Sequence, residues 1–123
     1  MTEKAWRGQD ICERTRMFAL RVIKLHQAVS KTGTGQVLGK QLLRAGTSIG
    51  ANVEEAQAGQ STPDFVHKMS IALKEARETR YWLTLLAESG LIPAARLEPL
   101  RHEADELIKI LYTIIRNTKA LDN

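Results

Sequence analysis

Apolar residues recur along this chain at alternating steps of three and four in four separate stretches, a spacing that keeps each set on one face of a helix. Ile11, Phe18, Val22, Leu25 and Val29 predict a first helix over about 10–30. Leu38, Leu42, Ala45, Ile49, Asn52 and Ala56 predict a second over about 36–58, after a flexible turn in the Gly- and Thr-rich stretch Ser30 to Gly35. Gly59 then reads as a stop. Ser61-Thr62-Pro63-Asp64 reads as a start, with a hydroxyl cap, a first-turn proline and an acid at the positive end of the helix dipole. Phe65, Met69, Ala72, Ala76, Thr79, Leu83 and Leu86 place the third helix at about 63–88, closed by Ser89-Gly90. A fourth row runs Leu97, Leu100, Ala104, Leu107, Leu111, Ile114, Leu121, with Thr118 in line. Its regular part is expected at about 98–119, because Pro93 and Pro99 fit only near a first turn. A mean spacing near 3.5 residues implies left-handed packing at about +20°, and short connections favour an up-down-up-down order. The expectation is an all-α four-helix bundle forming one domain over 1–123.

The second helix departs from an ordinary core helix. Over Arg44 to Ala58 it carries small and polar residues where Leu or Ile would be usual. Gly46 and Gly50 lie four apart on one face, beside Ala45, Ser48 and Ala51, so another helix can approach closely. Asn52 falls in the apolar row, and a buried amide needs hydrogen-bond partners. Arg44, Ser48, Asn52 and Glu55 form a polar row at steps of four, four and three. This row reads as a structural network: Ser48 bonding back to the Arg44 carbonyl, Asn52 bridging to a neighbouring helix, and Glu55 pairing with an arginine such as Arg80.

Two blocks carry a family resemblance: R-A-x-x-S-I-x-A-N-V-x-E from Arg44 to Glu55, and F-x-x-K-x-x-x-A-x-x-E from Phe65 to Glu75. Over roughly Phe18 to Arg116 the chain resembles the bacterial four-helix-bundle proteins related to the intervening-sequence proteins, whose genes can lie inside large-subunit ribosomal RNA genes. It also resembles the accessory variability determinant of diversity-generating retroelements. The resemblance implies a four-helix fold, a ring of five bundles and no established catalytic residues. For the retroelement relatives it implies binding of nucleic acid and of a reverse transcriptase.

Composition adds a modest constraint. With 43% hydrophobic, 26% charged and 5% aromatic residues over 123 positions, the chain suits one Ala/Leu/Ile-packed helical domain. The lone Cys12 excludes an internal disulfide framework and fits a reducing compartment. No apolar run approaches the ~20 residues of a membrane span, and the first ten residues lack a signal-peptide core, so the expected location is the cytoplasm. The net charge of +4 is unevenly placed: residues 1–44 hold nine Lys and Arg against three acids. Arg14, Arg21, Lys24 and Lys31 form a basic stripe along the first helix, suited to the phosphates of RNA or DNA if an oligomer multiplies it.

Enzymatic chemistry finds little footing. Gly33 to Lys40 lacks both the spacing and the Ser/Thr of a phosphate loop, and no Glu stands three before a His as in a bundle metal site. Neither a metal nor another cofactor is expected. Arg21 with His26, and Arg96 with His102, loosely match the Arg-to-His spacing of small helical ribonucleases. Five positions along a helix turn the second side chain about 140° from the first, which does not aim both at one phosphate. Trp6, Tyr81 and Trp82 are candidate interface anchors, since adjacent aromatics on a helix cannot share one seam. The expectation is a non-enzymatic homo-oligomer, a pentamer by resemblance, with a binding or scaffolding role on nucleic acid. The alternatives are a protein-interaction module without nucleic-acid affinity and a ribonuclease.

Overall fold

The computed structural model describes residues 10–29, 31 and 33–122. Four helices account for nearly all of them: α1 Ile11–Val29, α2 Gly33–Gln57, α3 Thr62–Glu88 and α4 Ala94–Asp122. No strand occurs among the described residues. Each helix packs on the next in chain order, while α1 and α4 meet only lightly, giving an all-α four-helix bundle whose thinnest seam lies between its first and last elements.

The rows predicted from spacing form the core. Phe18, Val22, Leu42, Ala45, Ile49, Met69, Ala72, Ala76, Leu83, Leu86, Leu97, Ala104, Leu107 and Leu111 are all buried. Thr79, the one hydroxyl predicted in the third row, is buried too and donates to the Glu75 carbonyl at 2.7 Å, so its burial leaves no polar group unpaired. Leu25, Leu38, Phe65 and Thr118 are half-buried, and Asn52 and Leu121 depart further. Val53, not Asn52, completes the α2 row, because a step of four from Ile49 follows the 3.6-residue turn better there than a step of three. Leu121 is 83% exposed, beyond the reach of the other helices.

Helix ends follow local chemistry. Ser61 caps α3, its Oγ accepting from the Asp64 amide at 3.2 Å, with Pro63 in the first turn. Gly90 takes φ 79° just beyond Ser89, a left-handed conformation that ends α3. The starts of α2 and α4 come earlier than the sequence suggests. α2 begins at Gly33 rather than near 36, taking in part of the expected turn, since first-turn amides need no intrahelical partner and the glycine penalty of about 1 kcal/mol is tolerable. α4 begins at Ala94 and contains Pro99. That proline and Ala95, whose carbonyl loses its helical donor, are both exposed, so water can satisfy the carbonyl, while buried Leu97 and Leu100 hold the turn against α3.

The close approach signalled by the α2 glycines is made by α1. A Cβ added at Gly46 would stand 2.8 and 2.9 Å from the two Val22 methyls, and at Gly50 it would stand 3.3–3.4 Å from Thr15. At Gly39 the nearest atom would be His26 Cδ2 at 3.3 Å. Three glycines therefore form one continuous bed for α1.

Candidate functional site

The polar motif on α2 faces α3. Arg44 donates to Glu75 Oε1 at 3.2 Å, to the Glu78 carboxylate, and to Gln41 Oε1 at 3.2 Å. Trp82 Nε1 donates to the same Glu78 at 3.0 Å, so a single carboxylate ties the indole to the guanidinium. Glu75 is buried and Arg44 half-exposed. Burial of Glu75 is supported by its arginine, and the group ties α2 to α3. Two members of the expected motif, Arg44 and Glu75, are thus brought together; Glu78 and Trp82 complete the network.

Its other members are placed differently. Asn52 is half-buried and bonds within its own helix, donating to the Ser48 carbonyl at 2.9 Å and to Ser48 Oγ at 3.1 Å rather than across to a neighbour. Ser48 therefore serves as the acceptor for Asn52. Glu55 is exposed, and Arg80 pairs instead with Asp105 of α4 at 3.3 Å. Gly46 and Gly50 lie on the α1 side of the helix. The sequence block is hence two surfaces: glycines toward α1 and charge toward α3.

The basic stripe is also divided. Arg14 makes a bidentate pair with Glu103 of α4, Nε to Oε2 at 2.6 Å and Nη2 to Oε1 at 2.9 Å, and that hydrogen bonding holds its guanidinium above the usual arginine range. It serves the thin α1–α4 seam and is not free for a phosphate. Lys31 lies in the turn after α1 rather than on the helix. Arg21, Lys24 and Lys31 are exposed and make no ion pair among the described residues, and Lys40 on α2 joins them. A signal for Lys40 was present in the sequence: from Arg14 to Val53 there is no Asp or Glu at all. In that acid-free run Arg14 and Arg44 are neutralised by α4 and α3, and the rest keep their charge toward solvent.

The remaining candidates scatter. Trp6 lies outside the described residues. Tyr81 is 56% exposed and packs edge-on against half-buried Trp82, with ring centres 5.2 Å apart. Three isoleucines outside the predicted rows divide between core and surface: Ile23 is exposed, Ile71 half-buried and Ile115 buried. His26 is turned against Gly39 of α2 while Arg21 faces solvent, and the pair does not converge; Arg96 and His102 are both exposed. Among the described residues no three His, Cys, Asp or Glu side chains gather to hold a metal, and no helix is long and apolar enough to cross a membrane.

Comparison with known proteins agrees with this architecture. The family model described as 23S rRNA-intervening sequence protein matches residues 7–113. A crystal structure of a Bacteroides thetaiotaomicron protein of unknown function from the S23 ribosomal protein family superposes with a TM-score of 0.81. It is 41% identical, over 85% of this chain and 97% of that one. No curated protein matches the chain.

Proposed function

Starting from the chain's membership of the 23S rRNA-intervening sequence protein family, we propose a non-enzymatic homo-oligomeric bundle that binds nucleic acid with low sequence specificity. The observation that carries the proposal is the acid-free run Arg14 to Val53, which leaves Arg21, Lys24, Lys31 and Lys40 exposed and without an ion pair among the described residues on the α1–α2 hairpin. Such cations contact phosphates as point charges or forks. No aromatic side chain lies among them to stack a base, so base identity goes unread. Arg14 is not one of the contacts, because its charge is spent on Glu103.

Oligomerisation gives the patch its strength, since several weak copies act together on one polyanion. The family resemblance points to a ring of five. Exposed Met17, Leu20, Tyr81 and Tyr112 supply apolar surface that a neighbouring subunit would cover. Five copies of the 13.8 kDa chain total about 69 kDa, and the expected compartment is the cytoplasm. Light scattering near 69 kDa, with labelled RNA or DNA binding that weakens as salt rises, supports the proposal. A stable monomer at micromolar concentration refutes the ring. Absence of binding at low salt refutes the nucleic-acid role and leaves a protein-interaction module.

A further inference from the structure

The acid-free run is bounded by Glu13 and Glu54, and the α1–α2 hairpin folds both acids to one end of its outer face, where Glu54 lines a groove with Cys12, the chain neighbour of Glu13. Lys24 and Lys40 lie toward the other end, where Gly39 meets His26. All four side chains are exposed and make no ion pair among the described residues. Glu13 and Lys24 stand about 17 Å apart along α1, and Lys40 and Glu54 about 21 Å apart along α2, at the helical rise. At about 100° per residue those steps turn only about 20° and 40°, so each acid shares a helix face with its cation. The midpoints fall between Phe18 and Ala19 on α1 and at Thr47 on α2. Since Val22 meets Gly46 and Thr15 meets Gly50, both midpoints stand at one level of the hairpin.

A half-turn about an axis at that level, crossing both helices, lays Glu13 on Lys24 and Glu54 on Lys40 of an identical face. Shape follows the same symmetry. Leu20 and Ile23 stand out on the cationic half, 54% and 39% exposed, while the acidic half holds a groove of about 340 Å³ walled by exposed Arg16 and by the small residues Ala19, Thr47, Gly50 and Ala51. The half-turn sets Met17 against Leu20 and brings Ile23 over the groove of the other copy. Arg16 and Arg21 become level too, but they point about 140° apart around the helix, so these two charges stay separated. We propose that this face docks a second copy of the chain, antiparallel and related by a two-fold axis. A polyanion covering the whole face would set phosphates against Glu13 and Glu54 and leave Leu20 and Ile23 without apolar contacts; a second copy answers charge and shape together. In a two-fold contact one patch serves both copies, so it is not among the head-to-tail contacts that close a ring of five. It goes beyond the proposed assembly by joining two chains, or two rings. Lys24 and Lys40 are also proposed phosphate contacts, so pairing and nucleic acid compete for them.

Reciprocal charge changes test the contact by sedimentation velocity at low salt, where exposed charges are least screened, and without nucleic acid. One variant carries Glu13→Lys with Glu54→Lys, the other Lys24→Glu with Lys40→Glu. Each alone should halve the mass of the wild-type assembly, from about 28 to 13.8 kDa for paired chains or from about 138 to about 69 kDa for paired rings. An equimolar mixture of the two should restore the wild-type mass, because every contact then joins acids to cations. Recovery on mixing, with native circular dichroism for each variant, shows that repulsion and not misfolding caused the halving. Variants that keep the wild-type mass overturn the proposal, as does a mixture that fails to recover it. A wild-type mass that climbs past the doubled value with concentration also overturns it, since a two-fold contact saturates at two. Whether the halved unit is a chain or a ring reports on the ring separately, so failure of the pairing leaves the ring and the nucleic-acid reading standing.

Discussion

Gly46→Ala tests the α1–α2 contact with a single added methyl. On helix propensity alone the change should stabilise by up to about 1 kcal/mol, since glycine is the poorest ordinary residue inside a helix. Packing argues the opposite. The new Cβ would stand 2.8 and 2.9 Å from both methyls of Val22, roughly 1 Å inside the optimal carbon–carbon separation. Val22 is fully buried, and a β-branched side chain in a helix has one strongly preferred rotamer, so it cannot swing aside. Overpacking of this kind costs about 1–3 kcal/mol. The net expectation is a loss of about 1 kcal/mol, or a fall in Tm of about 4 °C. Gly33→Ala is the control: nothing lies within 4 Å of its added Cβ, so it should be neutral or slightly stabilising. Val22→Ala removes the obstructing methyls at a cost of about 2 kcal/mol by itself. Combined with Gly46→Ala it should cost at least about 1 kcal/mol less than the sum of the two. Urea denaturation of the four variants decides it. A Gly46→Ala protein as stable as the Gly33→Ala control, or strictly additive costs in the double variant, would refute the claim that α1 rests on the α2 glycines.

Arg14→Glu should cost about 1–2 kcal/mol in denaturant stability, because it replaces a partly buried bidentate pair by two facing carboxylates; a change within error would mean the α1–α4 seam does not depend on it. Asn52→Leu should shift stability by less than about 1 kcal/mol, since its amide bonds only within α2 and is half-exposed, whereas Arg44→Ala should cost about 1–3 kcal/mol by leaving Glu75 buried without its partner; the reverse order in thermal melts would overturn the placement of both. The Cys12 thiol is pushed up to about 11 by burial first, then by Asp10 and Glu54, so at pH 8 it should react about 100-fold more slowly than a thiol at 9.0, with the rate climbing toward pH 11. The native state holds this proton more tightly than the unfolded chain, so its contribution to stability is complete below pH 9 and drains away between 9 and 11. A thiol-labelling profile with its midpoint near 9 would contradict this.

Periodicity carried the four helices because most core positions lie on rows that only one helical face can satisfy. It failed where two residues compete for one place. Asn52 and Val53 stand three and four beyond Ile49, an alternation of steps admits either, and the buried row follows the 3.6-residue turn to Val53. Helix starts were less legible, since glycines and a proline can either break a helix or occupy its first turns, depending on whether flanking leucines are buried. The charge network was partly readable. Arg44 and Glu75 belong to recognisable blocks, but Arg14 meets Glu103 across 89 positions, and no local pattern shows that a cation in an exposed-looking stripe has a partner.

The central claim is that the exposed cations of the α1–α2 hairpin bind nucleic acid through its phosphates. Fluorescence anisotropy of labelled single-stranded RNA, titrated at a series of salt concentrations, measures this directly. Each neutralised phosphate contributes about 0.7 to the slope of log K against log salt. Four cations per engaged subunit therefore predict a slope of at least about −2.8 in the wild type. In a variant with Arg21, Lys24, Lys31 and Lys40 changed to Glu the slope should collapse and binding should be lost, with the oligomer retained and Arg14 left on Glu103. A variant that binds with the wild-type slope would contradict the claim, as would wild-type affinity indifferent to salt.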